Sequence, residues 1–264
     1  MKKKPALVCV NETLLSKSCQ TVKLEGFELV HRLDRRADKK GGGVLVFAAL
    51  EIKGSVTFLR EGGDKDERIW FLVHTNGGPL LMCAWYRPPG DPVCQDIMRF
   101  ECELQEMRAD FMGLMILGDV NVHHQAWLVH SSHTSAAGRQ LRQVAREANL
   151  DQHVKEPTRG PHTLDLVLSD LGAKARVTAR IADHSLLEAW IDIKVPEETT
   201  VTRKVWRYAD ADWKGLHEAL EAQDWTEMER LSPGQNGCKT RYWATCRPGL
   251  GSEIWCKRKA PTHG

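Results

Sequence analysis

The chain has 264 residues, a formal net charge of +2 at pH 7, and 42% hydrophobic and 27% charged residues. This ordinary globular composition excludes a wholly disordered, collagen-like or coiled-coil chain, and the near balance of charges gives no overall field that would indicate a nucleic-acid partner. No apolar run approaches the roughly 18 residues of a membrane helix, so we expect a soluble, intracellular protein without a membrane partner.

The first predicted strand is the continuous apolar run at residues 6–10, which leads into Asn11 and Glu12. Such a run is typical of a strand that is buried on both faces. Three glycines at residues 41–43 precede a second apolar run at residues 44–47. Because neither a Lys-Ser/Thr pair nor a helical pattern follows them, the glycines indicate a tight turn at a strand entry and not a phosphate-binding loop.

A hairpin is predicted in the next part of the chain. Apolar residues at 69–73 and 80–86 predict two strands, and the turn-forming residues at 76–79 lie between them. Prolines and a glycine within residues 87–92 then end the second strand.

Two helices and one buried strand follow. Apolar residues at steps of three and four from Ile97 to Phe111 predict an amphipathic helix that stops at Gly113. Residues 114–117 predict a short buried strand, and apolar residues within 141–148 predict a second helix.

Two further strands are predicted at residues 163–168 and 185–195. Paired strands with hairpin-like links and few helices favour a mixed or antiparallel α/β sandwich over a doubly wound sheet. We therefore predict a sandwich domain over residues 1–196. Residues 197–231 are predicted to be a linker with a short helix, and residues 232–264 a basic, poorly ordered tail.

Acidic or polar side chains follow or adjoin several of these predicted strands. Strand ends hold side chains rigidly at the edge of a sheet, and carboxylates gathered there suit a hard divalent cation. A histidine beside them can bond to a phosphate oxygen or transfer a proton. Each residue alone is also typical of a turn or a helix cap, so it is the ordered set that indicates a site. The set is Glu12, Asp119, Asn121, Asp165, Asp183 and His184.

Several segments, in this order, resemble the endonuclease/exonuclease/phosphatase superfamily. They are residues 5–13, 86–89, 118–121, 164–169 and 182–185. More closely, the chain resembles the apurinic-type endonuclease domain of non-LTR retrotransposons over about residues 5 to 225. This closer resemblance depends on residues 41–44, 156–160 and 206–208.

The resemblance implies a four-layered α/β-sandwich, in which two packed mixed sheets are flanked by helices and carry the site at one end. It implies a metal-dependent DNA endonuclease that hydrolyses a phosphodiester and leaves a 3′-hydroxyl to prime reverse transcription. Mg²⁺ is the implied cofactor, with Mn²⁺ as the alternative ion. DNA is the implied partner and the nucleus the implied location, with no small organic cofactor, while the oligomeric state is left open.

The resemblance also implies the roles around the metal and the attacking water. Glu12 binds Mg²⁺, and Asp183 is a further site carboxylate that we predict as a metal ligand. Asp119 positions or deprotonates the water, and Asn121 helps to orient it.

The remaining implied roles concern the phosphate. Tyr86 and His184 contact the scissile phosphate, and Asp165 holds the imidazole of His184. A neighbouring carboxylate raises the pKa of a histidine and favours the imidazolium that complements a negatively charged transition state.

The chain departs from the family pattern in several places. The family's first strand, which ends in an Asn that helps to hold the metal, has no counterpart before Pro5. We therefore expect a fold without that strand and an unpaired edge on residues 7–10. Ala6 replaces the family's Asp, Ala182 replaces a Ser, and no reverse transcriptase follows. We interpret the chain as a retroelement fragment truncated at both ends.

Two alternatives to an active endonuclease stay open. The chain could be a catalytically impaired retroelement fragment without an enzymatic role, because metal held by Glu12 without the family's Asn should bind weakly. We expect that loss to lower activity by at least ~10²-fold. The less favoured alternative is a phosphomonoesterase built on the same fold.

Overall fold

The computed structural model describes residues 4–16, 18–19, 21–35, 41–63, 66–90, 93–107, 111–196, 200–206, 211–222 and 253–259. The chain divides into two compact units, residues 1–198 and residues 199–263. In chain order the strands are β1 (Leu7–Asn11), β2 (Phe27–Leu33), β3 (Val44–Ala49), β4 (Val56–Glu61), β5 (Glu67–Thr75), β6 (Gly78–Tyr86), β7 (Gly113–Asp119), β8 (Asp151–Gln152), β9 (Asp165–Ser169), β10 (Lys174–Arg180), β11 (Ser185–Trp190), β12 (Thr200–Trp206) and β13 (Glu253–Lys259). The helices are α1 (Gln95–Met107), α2 (Ala136–Glu147) and α3 (Trp213–Glu221).

The larger sheet of the first unit has six strands in the order β4-β5-β6-β7-β9-β8. Its pairs are antiparallel except for β6 and β7, which run parallel, so the sheet is mixed. Thr75 pairs with Gly78 at the end of the β5–β6 hairpin, which leaves Asn76 and Gly77 as the turn. The hairpin prediction is confirmed.

The smaller sheet has the order β1-β3-β2 and is antiparallel in both of its pairs. Every residue of the central strand β3 is buried. Within the described residues β3 is the one partner of β1, so the other side of β1 is a sheet edge. Residues 41–43 enter β3 with φ values of 82°, 87° and 97°, which favour glycine. The Gly43 N–H donates to the Glu67 carboxylate at 2.5 Å and is therefore already bonded within the fold. The glycines form the strand-entry turn that the sequence predicts.

Alternating side chains on β6 build two hydrophobic cores on opposite faces of the large sheet. One set packs with α1 and α2, and the other set packs against the smaller sheet. The first set is Leu81, Cys83 and Trp85, and the second set is Leu80, Met82 and Ala84. The two sheets therefore pack face to face with helices on the outer face of the larger one. The predicted α/β-sandwich class is confirmed.

Two elements end earlier than the sequence predicts. Helix α1 ends at Met107, and Phe111 lies outside it while still packing against the core, because β7 already begins at Gly113. Strand β11 ends at Trp190, although alternate residues as far as Val195 remain partly buried. Their apolar alternation therefore records burial and not strand pairing.

In the second unit, β12 and β13 form an antiparallel pair from Thr200 with Lys259 to Trp206 with Glu253. Helix α3 lies where the sequence predicts a helix, and its N-cap Asp212 accepts from the backbone N–H of Gly215. Strand β13 falls inside the predicted tail, and the rest of residues 232–264 lies outside the described residues. The three-part division of the chain stays a prediction. Across the part of the chain that the structure describes, no helix is long and apolar enough to cross a membrane.

Candidate active site

Two carboxylates lie side by side on the adjacent strands β7 and β9 of the larger sheet. Asp119 ends β7, Asp165 begins β9, and the two residues are directly paired in the antiparallel register. Directly opposite side chains have Cβ atoms only about 5 Å apart, so like charges there repel. Asp119 is 3% exposed. Burial, and then the charge of Asp165, raises the pKa of Asp119 from 3.8 to about 7.

Asn121 holds both carboxylate oxygens of Asp119. Its backbone N–H donates to Oδ1 at 3.2 Å, and its Nδ2 donates to Oδ2 at 2.9 Å and to the Arg87 carbonyl at 3.0 Å. The φ of Asn121 is 45°, in the left-handed region that asparagine tolerates better than most residues. The short segment after β7 therefore fixes the orientation of Asp119.

The imidazole of His184 lies between these two carboxylates. Its Nδ1 is 2.7 Å from Asp165 Oδ2, and its Nε2 is 3.7 Å from Asp119 Oδ2. The hydrogen bond with Asp165 is the main reason that the pKa of His184 is raised. Nε2 is buried and has no hydrogen-bond partner among the described residues. A protonated His184 therefore has an uncommitted N–H donor beside Asp119.

A second group of site residues lies at the end of β1. Glu12 follows β1 with φ 52°, an uncommon conformation for a residue other than glycine. The hydroxyl of Tyr86, at the end of β6, donates to Glu12 Oε1. Burial and then this contact raise the pKa of Tyr86 well above its ordinary value, so the phenol stays protonated. The charge of Asp119 contributes to the same shift.

Asp183 makes a different contact. Its carboxylate pairs with Arg159 at 2.6 Å, and its side chain is 53% exposed. The structure thus brings the hydrogen-bonded pairs Asp119–Asn121 and Asp165–His184 into one cluster. It also joins Tyr86 to Glu12. The Asp183 side chain forms an ion pair with Arg159, and the metal-ligand role of Asp183 stays a prediction.

Sequence reasoning missed two residues that position the cluster. Thr158 is 1% exposed. Its hydroxyl accepts hydrogen bonds from the backbone N–H groups of Leu164 and Asp165 at 3.0 Å. Its carbonyl accepts a hydrogen bond from the backbone N–H of Ser185. It therefore joins the start of β9 to the start of β11, which carry the Asp165–His184 pair. The one signal for it was its place in the segment at residues 156–160.

The second missed residue is Arg87, which is 2% exposed. Its guanidinium pairs with Asp96 at 2.7 Å and donates to the carbonyls of Val120 and Asn121. Its backbone N–H donates to the Asp119 carbonyl at 2.8 Å. Arg87 therefore ties the segment that carries Asp119 to the first turn of α1. The one signal for Arg87 was its place in the segment at residues 86–89.

The donor atoms near β1 fit a hard cation. Asn11 Oδ1 is buried and has no hydrogen-bond partner among the described residues, and Glu12 supplies a neighbouring carboxylate. Within the same described part of the chain, no group of three or more His, Cys, Asp or Glu side chains is arranged to hold a metal ion. Mg²⁺ is commonly bound through one or two carboxylates together with water and substrate phosphate, so a sparse set of protein oxygens suits it.

Residues 80–188 match a family model described as Endonuclease-reverse transcriptase. The chain has the endonuclease/exonuclease/phosphatase fold. Among solved structures it is similar to the endonuclease domain of TRAS1, a telomere-specific non-LTR retrotransposon, with a TM-score of 0.54 and 14% identity over 72% of this chain and 85% of that one. It is equally similar to the Xenopus laevis APE2 catalytic domain, with a TM-score of 0.54 and 14% identity over 72% of this chain and 84% of that one. No curated protein sequence matches the chain.

The solved structures confirm the fold that the resemblance implies, and the family match over residues 80–188 agrees with the likeness to retrotransposon endonucleases that the sequence indicates. The matched segment spans β6, β7 and β9 and includes most of the site cluster, from Tyr86 to His184. The family match and the fold together support a nuclease- or phosphatase-type enzyme.

Proposed function

We propose that the chain is a metal-dependent DNA endonuclease of a non-LTR retroelement, which nicks target DNA in the nucleus and leaves a 3′-hydroxyl primer. One observation carries the proposal: His184 Nε2 is buried without a described partner, 3.7 Å from Asp119 Oδ2, while Nδ1 is held by Asp165. A donor and a carboxylate side by side suit attack of water on a phosphodiester.

Asp119 and Asn121 act on the attacking water. Ionised Asp119 accepts a proton from the water as the water oxygen bonds to phosphorus. The P–O3′ bond breaks to leave a 5′-phosphate, and O3′ takes a proton from solvent water to become the 3′-hydroxyl. A pKa of about 7 suits a general base that works near neutral pH. Asn121 keeps the two carboxylate oxygens in place through its hydrogen bonds.

His184 acts on the phosphate. Its raised pKa favours the imidazolium, and Nε2–H donates to a non-bridging phosphate oxygen as negative charge develops there. The bond to Asp165 fixes the ring orientation and leaves Nε2 as the free donor. Tyr86 remains a predicted phosphate contact whose described hydrogen bond goes to Glu12.

Glu12 and the unpartnered oxygen of Asn11 would hold Mg²⁺, with Mn²⁺ as the alternative ion. Asp183 is the further proposed carboxylate, and it would have to exchange its pair with Arg159 in order to bind metal. When bound, the ion would stabilise charge on the phosphoryl and leaving oxygens.

The test is nicking of supercoiled plasmid by the full chain with Mg²⁺ and with a chelator. Asp119→Ala and His184→Ala should abolish conversion to open circles, because each removes a group that acts on the water or the phosphate. Asp192→Ala, which removes an exposed aspartate outside the cluster, should nick as the wild type does. Nicking that survives in Asp119→Ala, or that persists in chelator, would contradict the proposal.

Two other results would redirect the assignment. Metal-dependent hydrolysis of a phosphomonoester without nicking would assign a phosphatase to the same fold. A folded protein that hydrolyses neither substrate would identify a catalytically impaired fragment.

A further inference from the structure

Helix α2 carries arginines that differ from most others in the described residues, because no carboxylate pairs with them. They are Arg139, Arg142 and Arg146. With the exception of Arg180, every other arginine whose side chain is described forms an ion pair with Asp or Glu. The fold therefore neutralises its arginines in general and leaves this group of positive charges unneutralised.

These arginines line one groove. They lie at positions i, i+3 and i+7 of α2, on one face of the helix, and span about 10 Å along its axis. The groove has a volume of about 550 Å³ and is lined by His124, Arg139, Arg142, Gln143, Arg146 and Glu147. The carboxylate of Glu147 accepts from Gln143 Nε2 at 3.0 Å.

His124 lies in this groove as a neutral hydrogen-bond acceptor. Arg142 Nη1 lies 3.4 Å from His124 Nε2, and Arg139 Nη1 donates to the Thr134 carbonyl at 3.3 Å. Burial, followed by the charge of Arg142, lowers the pKa of His124. Both guanidinium groups are thus directed by neutral acceptors, which leaves their charge available to an anion.

The N-terminus of α2 is anchored to the chain that follows Asn121. The N-cap Ser135 donates its backbone N–H to the His123 carbonyl at 2.9 Å, and its hydroxyl accepts from the His123 N–H. A Cβ on Gly138 would lie only 2.0 Å from the His123 carbonyl oxygen, so the helix and this segment are in close contact. Arg139 is therefore one residue from a contact with the segment that positions Asp119.

We propose that the α2 groove binds the phosphate backbone of the DNA substrate away from the scissile bond; this rests on the proposed function. Guanidinium groups bind phosphate oxygens through paired N–H donors, and an arginine without a carboxylate partner has those donors available. Backbone contacts fix register and supply affinity without reading sequence. The groove would thus hold duplex DNA while the Asp119–His184 cluster acts on one phosphate.

The test measures the salt dependence of DNA binding by the full chain. Affinity for a fluorescein-labelled duplex is measured by anisotropy in chelator, which prevents cleavage, as salt rises from about 50 to 200 mM. One variant combines Arg139→Gln, Arg142→Gln and Arg146→Gln. Each phosphate contact contributes about 0.9 to the magnitude of the slope of log K against log salt, so the slope of this variant should be smaller than that of the wild type by about 2.7. Wild-type affinity should then fall about 40-fold more than that of the variant over the same range.

A matched control removes three cations that the fold already neutralises. It combines Lys4→Gln, Lys53→Gln and Arg60→Gln, whose cations pair with Glu51, Glu28 and Glu106. The total charge change is equal, yet the slope should fall by less than about 1. The single variant Arg146→Gln serves if the triple variant does not fold, because this side chain makes no described hydrogen bond or ion pair. Its slope should fall by about 0.9.

The outcomes separate this inference from the proposed function. If the wild type and a folded α2 variant bind DNA with the same salt slope, the proposal that the groove binds DNA phosphates is wrong, whether or not the plasmid is nicked. A control that loses as much slope as the α2 variant also overturns it, since the effect would then be one of net charge. Loss of slope in the α2 variant alone, with no nicking by the wild type, supports the groove and contradicts the endonuclease. Wild type that binds no DNA at any salt concentration overturns the groove as a DNA site.

Discussion

Replacing Asp119 with asparagine is expected to change how the stability of the fold depends on pH. The pKa of Asp119 is raised from 3.8 to about 7 in the folded chain, mainly by burial and then by Asp165. The folded state therefore binds this proton more tightly than the unfolded state, and the free energy of unfolding falls as pH rises between about 4 and 7. At 1.36 kcal/mol per pKa unit, the whole fall amounts to about 4 kcal/mol. The amide of Asp119→Asn does not titrate, so this contribution is absent from the variant.

The assay is urea unfolding followed by circular dichroism from about pH 4.5 to 8.5, in chelator so that no bound cation lowers the carboxyl pKa. Asp119→Asn should lose stability at low pH, because two hydrogen bonds with Asn121 are disturbed, and should gain relative to wild type as pH rises. Asp192→Asn is the control, and its curve should run parallel to that of the wild type. Parallel curves for wild type and Asp119→Asn would refute the reasoning, because Asp119 would then not hold its proton more tightly in the fold.

Further predictions concern residues that position the cluster. Gly118→Ala should lower the free energy of unfolding, measured by urea titration, by more than about 3 kcal/mol, because its Cβ would lie 1.9 Å from the Trp85 carbonyl oxygen. Gly172→Ala is the control: a Cβ there would meet nothing within 4 Å, so the free energy of unfolding should change by under about 0.5 kcal/mol. Thr158→Val should lower the free energy of unfolding by about 2 kcal/mol and slow nicking, because two backbone N–H groups lose their acceptor. Thr158→Ser should retain most of the stability and most of the nicking rate, and an equal loss in the two variants would contradict a role for the hydroxyl. Arg87→Met should cost about 3 kcal/mol, measured by thermal and urea unfolding, because Asp96 loses its buried ion-pair partner; a loss under about 1 kcal/mol would contradict this.

The parts of the fold that the sequence predicts well are those specified by local patterns. The β5–β6 hairpin follows from two apolar runs around Asn76 and Gly77, and both are found where they are expected. Helix α1 is predicted from its apolar steps, but its end is not, because Phe111 continues the period while packing on the core from outside the helix. Periodicity reports which residues are buried, and it does not report which backbone conformation buries them.

The candidate site follows the same division. Asp119 follows a strand that the sequence predicts and Asp165 lies within another, and the antiparallel register then places them opposite each other. Thr158 and Arg87 could not be identified in this way. Their roles consist of hydrogen bonds to backbone groups that only the folded chain brings near, and neither residue belongs to a pattern that demands a particular chemistry. Asp183 shows the converse, since its motif predicts a site carboxylate while the structure pairs it with Arg159.

The electrostatics of the cluster account for both the cost and the usefulness of the site. Asp119 is buried opposite Asp165, and the shift of its pKa toward 7 means that ionising it in the fold is unfavourable. His184 lowers that cost when it is protonated, because its imidazole lies between the two carboxylates. A cation bound at Glu12 would add positive charge near Asp119 and would likewise lower its pKa. In the proposed mechanism, such binding would favour the ionised form of Asp119 that accepts the proton of the attacking water. A carboxylate whose ionisation is unfavourable in the empty site would then serve as the base once the site is filled.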